Sequence, residues 1–287
     1  MKVIAFYSFF KISNPLEVEE TILEFFKEIN VKGTILIGSE GLNGTIALPE
    51  YQENHTISFL IALGVKAENI KVSQFDGKRV FNRFKTKIKK EIVTSDFNLT
   101  IEDIHQGKFI EPHQWDAFIQ QENVEVIDTR NDYEYKIGKF KKAQNPNIQN
   151  FRQFKKYIEE NKDTLKNKKV AIYCTGGIRC EKAGPLMQKH GIDTYQLKGG
   201  ILKYFEETPA EQWDGECFVF DYRVSVDKSL NPGKSELCFG CNMPLTEEDR
   251  KSPLYEEGFT CPDCHDQLTE KKKQSLTDKR EHWKRIL

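Results

Sequence analysis

The sequence predicts a multidomain α/β protein with three parts: an α+β amino-terminal domain, a central domain built on a parallel sheet, and a small cysteine-rich carboxyl-terminal region. Three observations predict it. Short β-branched runs alternate with segments of helical spacing over most of the 287 residues. The first set runs in the order β-α-β-β-α-β, whereas the second alternates strand with helix. After Trp213 the periodicity fades, and Pro, Gly and paired cysteines take over. At roughly 100–200 residues per domain the length allows two or three domains. We place them at 1–91, 112–213 and 214–287, with a linker over 92–111.

Residues 3–10 are β-branched or aromatic and read as a strand. After Asn14 and Pro15, apolar residues at 16, 18, 22, 25, 26 and 29 give a helix. Runs at 34–37 and 45–48 read as a strand pair joined by a loop containing Gly38, Gly41, Asn43 and Gly44. A helix over 52–63 and a strand over 70–75 complete a ferredoxin-like order. In the central domain a helix over 113–121 precedes a strand at 124–128 that ends in Asp128. A helix over 151–160, a strand over 169–173, a helix that includes 185–190 and a strand over 195–197 follow. Strands alternating with helices favour a parallel sheet with its chemistry at the strands' carboxyl ends. Cys174 follows such an end. One more strand is expected at 217–221. The tail at 271–287 holds seven Lys or Arg and two acids; it reads as a helix, either docked on RNA or solvated.

Forty-three basic side chains nearly cancel forty-four acidic ones, so any affinity for a polyanion must come from local patches. The best patch lies between 66 and 90, where nine Lys or Arg face two acids and Phe75, Phe81 and Phe84 are interleaved. Lys78, Arg79, Arg83, Lys85, Lys87, Lys89 and Lys90 are its candidate RNA contacts, since cations suit phosphates and aromatic faces stack on unpaired bases. The plain alternative is a solvated, charged linker. No run approaches the roughly 20 apolar residues a bilayer span needs, and the first strand lacks a secretory cleavage site. Seven cysteines grouped for metal or catalysis suit a reducing compartment, so the cytoplasm is expected, with neither membrane nor DNA as partner.

The sharpest motif is Tyr173-Cys174-Thr175-Gly176-Gly177-Ile178-Arg179-Cys180, placed between a strand and a helix. Thr175, Gly176, Gly177 and Ile178 can curl so that backbone N–H groups and the helix start cradle an anion. A free thiol is only about 3% thiolate at pH 7, but this cradle with Arg179 would make thiolate a major form. Cys174 is therefore the candidate nucleophile. Cys180 either resolves an oxidised Cys174 or packs as a helix residue. Asp128 either acts on substrate or holds backbone N–H groups, and Arg130 meets either phosphate or Glu134.

Cys174 to Arg179 resembles the active-site loop of the rhodanese domain, and Val126-Ile-Asp128-Thr-Arg130 with Tyr133-Glu134 resembles that domain's earlier strand motif. Where rhodaneses usually carry Gly-His-Ile-x-Gly-Ala, this chain has Gly138-Lys-Phe-Lys-Lys-Ala143. The wider layout adds Ser39-Glu-Gly-Leu-Asn-Gly44, Cys217-Phe-Val-Phe-Asp221-Tyr-Arg223-Val and the cysteine pairs. Together these resemble the bacterial rhodanese-like tRNA uridine(34) hydroxylase family. The resemblance implies a rhodanese-like central domain over 112–213, the tRNA anticodon stem-loop as partner, and molecular oxygen as co-substrate in forming 5-hydroxyuridine. It makes Cys174 the active-site cysteine, by analogy a persulfide carrier. The rival reading is a sulfurtransferase passing persulfide sulfur from Cys174. No G-x-G-x-x-G motif announces a nucleotide cofactor.

Cys238-x-x-Cys241 and Cys261-x-x-Cys264, separated by nineteen residues, have spacing that permits a four-thiolate zinc site. A structural zinc is expected there; reduced thiols or a labile disulfide are the alternatives. His265 is expected to be a neighbour of this cluster rather than a ligand.

Overall fold

Alternation along the first strand decides how the amino-terminal domain is layered. In the computed structural model, which describes residues 1–75 and 80–286 and the backbone alone at 279, 280 and 282–286, β1 (Lys2–Phe9) turns Ile4 and Phe6 to one face and Val3, Ala5 and Tyr7 to the other. Lys78 and Arg79 lie outside the described residues. α1 (Pro15–Phe26) starts at Asn14, whose side chain accepts from Glu17 N–H, with Pro15 in the first turn. β2 (Lys32–Gly38), β3 (Gly41–Leu48), α2 (Glu53–Ala62) and β4 (Ile70–Gln74) follow. The loop expected between β2 and β3 is only Ser39 and Glu40; Gly41, Asn43 and Gly44 instead lie in β3, paired with Phe9, Tyr7 and Phe6. β5 (Phe84–Ile88) runs parallel to β2 and completes the order β4-β1-β3-β2-β5. The basic run is thus no loose linker: from Phe84 to Ile88 it is the sheet's outer strand. Phe84 packs with Phe26 under the helices, so period two sends Lys85 and Lys87 to the opposite face.

The stretch expected as a linker holds α3 (Ile101–Ile104) and β6 (Lys108–Ile110), and β6 belongs to the second sheet. Then come α4 (Pro112–Ile119), β7 (Val124–Asp128), α5 (Asp132–Ile137), β8 (Gly138–Phe140), β9 (Ala143–Gln144), α6 (Phe154–Leu165), β10 (Lys169–Tyr173), α7 (Ile178–Lys189), β11 (Asp193–Leu197) and α8 (Gly200–Glu207). The sheet order is β6-β11-β10-β7-β9 with every pairing parallel. Trp115, Ile201 and Tyr204 pack one face of it, and Phe154, Ile158 and Met187 the other. β10, an all-apolar run after Lys169, is central and buried on both sides, as a parallel strand requires.

β12 (Trp213–Gly215) pairs with β8, and Trp213 fills the core beneath Phe140. The strand expected at 217–221 stops after two residues: β13 (Cys217–Phe218) pairs with β14 (Ser225–Val226), and Val219 to Val224 turns away towards the amino-terminal domain. β15 (Glu236–Leu237), β16 (Pro244–Leu245), α9 (Glu247–Lys251) and α10 (Glu270–Ile286) end the chain. No helix among the described residues is long and apolar enough to cross a membrane.

The helix-free face of the first sheet is covered rather than solvated. Tyr7 and Phe9 pack with Ile92 and Ile104, against Ile178 of α7. Lys182 on α7 reaches Glu40 at 2.9 Å and Glu91 at 2.6 Å, and Tyr7 Oη donates to Glu181 at 2.6 Å. Arg223 donates to Ser73 at 3.0 Å and Tyr222 N–H to Val80 O at 3.1 Å. All three parts of the chain therefore meet around the start of α7.

Candidate active site

Cys174 leaves the central strand β10 and enters α7 through Thr175, Gly176 and Gly177. Gly177 has φ +104°, and a Cβ there would stand 2.6 Å from Tyr7 Oη, so only glycine permits both the turn and the approach of the first sheet. The turn lets Gly177 N–H donate to Cys174 Sγ at 3.1 Å. Behind the loop Gly200, at φ +68°, comes so near that a Cβ would lie 2.6 Å from Cys174 O. That closeness lets Ile201 and Leu202 N–H hold the Cys174 and Thr175 carbonyls at 3.0 and 3.1 Å.

Burial raises a thiol's pKa, and Cys174 is 1% exposed. A hydrogen bond from Cys180, the Arg179 guanidinium and the Cys180 and Arg179 N–H groups outweigh burial and bring Cys174 down to about 5. Cys180 moves the other way: burial and the neighbouring Cys174 push it well above the ordinary thiol range, so Cys174 is the anion of the pair. Arg179 is fixed by two bonds to Glu134, at 2.6 and 2.8 Å. Its charge is therefore held beside Cys174 in a fixed place.

Asp128 and Arg130 are spent on each other. Both are fully buried, 2.6 Å apart, with Arg130 also donating to Gly138 O at 2.6 Å. Its guanidinium lies against both the Tyr173 and Trp213 rings, 5.5 and 5.2 Å from their centroids. The expected contacts of Arg130 are thus corrected: fully buried and paired with Asp128, it meets neither phosphate nor Glu134, whose partner is Arg179.

A cavity of about 490 Å³ opens over Cys174, lined from the loop by Thr175, Gly176, Ile178 and Arg179. The other walls come from elsewhere in the chain. Tyr7, Thr34, Leu36, Asn43, Thr45 and Lys71 supply the helix-free face of the first sheet, and Val219, Phe220, Asp221 and Arg223 close the side. Lys71 Nζ donates to Gly176 O at 3.2 Å, and burial lowers its pKa. Phe220 is more than half exposed, as is Tyr222 two residues on. Both line an adjoining depression with Phe81, Arg83 and Lys85. Lys89 lines the main cavity, and Lys87 and Lys90 are exposed close by in sequence.

Sequence reasoning missed Tyr7, Lys71, Phe220, Arg223 and the Gly199-Gly200 turn as parts of this site. Lys71 carried a readable signal, since it alternates with Ile70 and Val72 in a strand whose other face is core, and Phe220 and Arg223 stand in the 217–224 motif that carried the resemblance. The rest is decided by which domain faces which.

Cys238, Cys241, Cys261 and Cys264 come together away from this cavity. Their sulfurs all lie within 4.8 Å of one another, and the four could hold a metal ion. The 238–264, 241–261 and 261–264 sulfurs are 3.7–3.8 Å apart, far beyond a disulfide bond of about 2.05 Å, and none of the four is in a disulfide. His265 faces Asp266 at 2.9 Å.

Residues 1–92 match the family model of the UPF0176 acylphosphatase-like domain, and residues 111–207 that of the rhodanese-like domain. Among solved structures, a rhodanese-like domain protein from Staphylococcus aureus is 25% identical over 34% of this chain and 90% of its own, with a TM-score of 0.29. A single-domain sulfurtransferase from Saccharomyces cerevisiae is 18% identical over 37% of this chain and 94% of its own, at 0.31. A NAD-dependent persulfide reductase from A. fulgidus is 15% identical over 70% and 33%, at 0.30. The chain thus joins a UPF0176 acylphosphatase-like domain to a rhodanese-like domain, which is the architecture of the UPF0176 rhodanese-like family.

Proposed function

We propose that this protein hydroxylates C5 of the wobble uridine in tRNA, with Cys174 as the reacting thiolate and molecular oxygen as co-substrate. The observation that carries the reading is the composition of the cavity. A thiolate lies at its base, the helix-free face of the first sheet with Lys71 forms a wall, Lys89 lines it too, and exposed Phe220 stands at its side with Tyr222 close by. A rhodanese loop alone needs none of these additions. An anticodon base is already unpaired, so swinging it over Cys174 costs little, and aromatic rings at the rim suit its neighbours. Thiolate addition to C6 would raise electron density at C5, where oxygen enters. By atom balance, uridine, O₂, two electrons and two protons give 5-hydroxyuridine and water, so the reaction also consumes a two-electron donor.

The hydrogen-bonded cradle around Cys174 Sγ equally suits a persulfide, which favours sulfur transfer as the second reading. Nucleoside mass spectrometry of tRNA separates the two. Cells lacking the protein should lose 5-hydroxyuridine derivatives and regain them with the native chain, not with Cys174→Ser. An unchanged modification profile would end the hydroxylase reading, and sulfur transfer from thiosulfate to a thiol acceptor would be assayed next.

For the four-cysteine cluster we propose structural zinc. A tetrahedron with metal–sulfur bonds of about 2.3 Å has edges of about 3.8 Å; the 238–264, 241–261 and 261–264 separations of 3.7–3.8 Å match that edge, and all four sulfurs lie within 4.8 Å of one another.

A further inference from the structure

The cations around the cavity differ in what occupies them. Arg179 is bound by Glu134 and Arg223 by Asp221, each through two nitrogens. Lys182 is held between Glu40 and Glu91, and Lys89 is exposed. Lys71 is different. It stands on β4, on the face turned to Cys174, and its ammonium lies 5.8 Å from the Tyr7 ring centroid and 3.2 Å from Gly176 O. No carboxylate among the described residues lies within ion-pair distance of it; Glu206, the Cys174 thiolate and Glu181 act on it only through space, against Lys203. An ammonium has three donors, and the Gly176 carbonyl uses one of them. Keeping a partly buried charge with no paired carboxylate is costly, and burial does lower its pKa. A group in the cavity that accepts its remaining donors would relieve that cost.

We propose, building on the hydroxylase reading, that Lys71 is a catalytic residue whose ammonium hydrogen-bonds O4 of the uracil ring held over Cys174. When the Cys174 sulfur pair forms the S–C6 bond, the C5=C6 π pair shifts to C4–C5 and the carbonyl π pair moves onto O4. The ring becomes an enolate, the thiolate charge has moved to O4, and Lys71 meets it there. The step is redox neutral and leaves C5 electron-rich. An ammonium placed in advance in an enclosed site stabilises such charge far better than water does, and losing one such donor costs about 10²–10³ in rate. The amino-terminal domain thereby takes part in the chemistry as well as in holding RNA.

The test pairs Lys71 with the atom it is said to meet. An anticodon stem-loop carrying either uridine or 2-pyrimidinone riboside, which lacks O4, at the wobble position is titrated into full-length Cys174→Ser protein. Three forms of that protein are compared, with Lys71 intact, with Lys71→Arg and with Lys71→Met. With Lys71 intact or changed Lys71→Arg, removing O4 from the RNA should weaken binding about tenfold. The Lys71→Met protein should bind both RNAs equally, and as tightly as the protein with Lys71 intact binds the RNA lacking O4, which also shows that it is folded. Undiminished discrimination in Lys71→Met, or its disappearance in Lys71→Arg, overturns the proposal. In cells, Lys71→Met should cut 5-hydroxyuridine about a hundredfold. Normal levels with Lys71→Met overturn the role of Lys71 alone, whereas failure of the native chain to restore the modification removes the hydroxylase reading and this role together.

Discussion

Cys174 owes its charge state to a few neighbours that can be changed singly. Its pKa near 5 reflects burial opposed by Cys180, Arg179 and two N–H groups. Alkylation followed against pH at the peptide that carries Cys174 should therefore show a midpoint well below the ordinary thiol range. Arg179→Gln removes the guanidinium and should raise that midpoint by about a unit or more; an unmoved midpoint would assign the shift to the other neighbours. Arg179→Lys is no conservative change, because a single ammonium cannot match both Glu134 oxygens. Glu134→Gln leaves a buried guanidinium without its counter-charge. Urea unfolding should show a loss of roughly 3–5 kcal/mol.

At the scale of elements, three consecutive residues of α7 divide the work: the first faces the reactive cysteine and the next two join the central domain to the amino-terminal part. Cys180 faces Cys174, Glu181 meets Tyr7, and Lys182 meets Glu40 and Glu91. The Glu181 carboxyl is raised from 4.5 to about 7, chiefly by burial and also by Cys174, against the Tyr7 hydrogen bond, Lys66 and Lys71, which lower it. An acid raised on folding contributes stability that is fully present below its unfolded value and lost as pH rises through its folded value. The loss should thus run from about pH 4.5 to 7, on the order of 3 kcal/mol when complete. Glu181→Gln should flatten this slope in urea titrations at pH 5 and pH 8, and an equal slope in the variant would place the effect elsewhere. β5 contributes differently, by carrying Lys85 and Lys87 outward along one edge.

For the whole molecule, the basic edge and the cysteine cluster make separable predictions. Replacing Lys85, Lys87, Lys89 and Lys90 by Ala should weaken tRNA binding and reduce the slope of log affinity against log salt, by about 0.7 for each single-strand phosphate no longer neutralised. An unchanged slope would remove this edge from the RNA surface. Cys261→Ser should abolish metal binding measured by native mass spectrometry. It should also raise amide exchange in 236–268, where apart from the cluster Pro244 and Leu245 are the buried apolar side chains among the described residues. Tyr7, Lys71 and Arg223 show why the domains work as one unit. Each belongs to a part of the chain outside the rhodanese fold, and each lines the cavity over Cys174.

Much of this was legible in residue patterns. The β-α-β-β-α-β order, the parallel central sheet, the Cys174 loop and the cysteine pairs follow from local periodicity, glycine placement and short spacings, which depend on few neighbours. β5 escaped notice because Lys85 and Lys87 mask a strand that is apolar on one face only. β6 escaped it because three residues form no pattern without their partner β11. The partners of Arg130 and Glu134 could not be assigned from spacing, since four residues apart in sequence gives contact only within a continuous helix, and α5 begins after Arg130. Local pattern alone settles which cysteine is presented at a strand end and which residues curl around it, because a strand, a glycine turn and a helix start need only near neighbours. What that cysteine faces is set by the packing of the domains, because the covering of the first sheet's open face by α7 and by Val219 to Arg223 brings together residues more than a hundred positions apart.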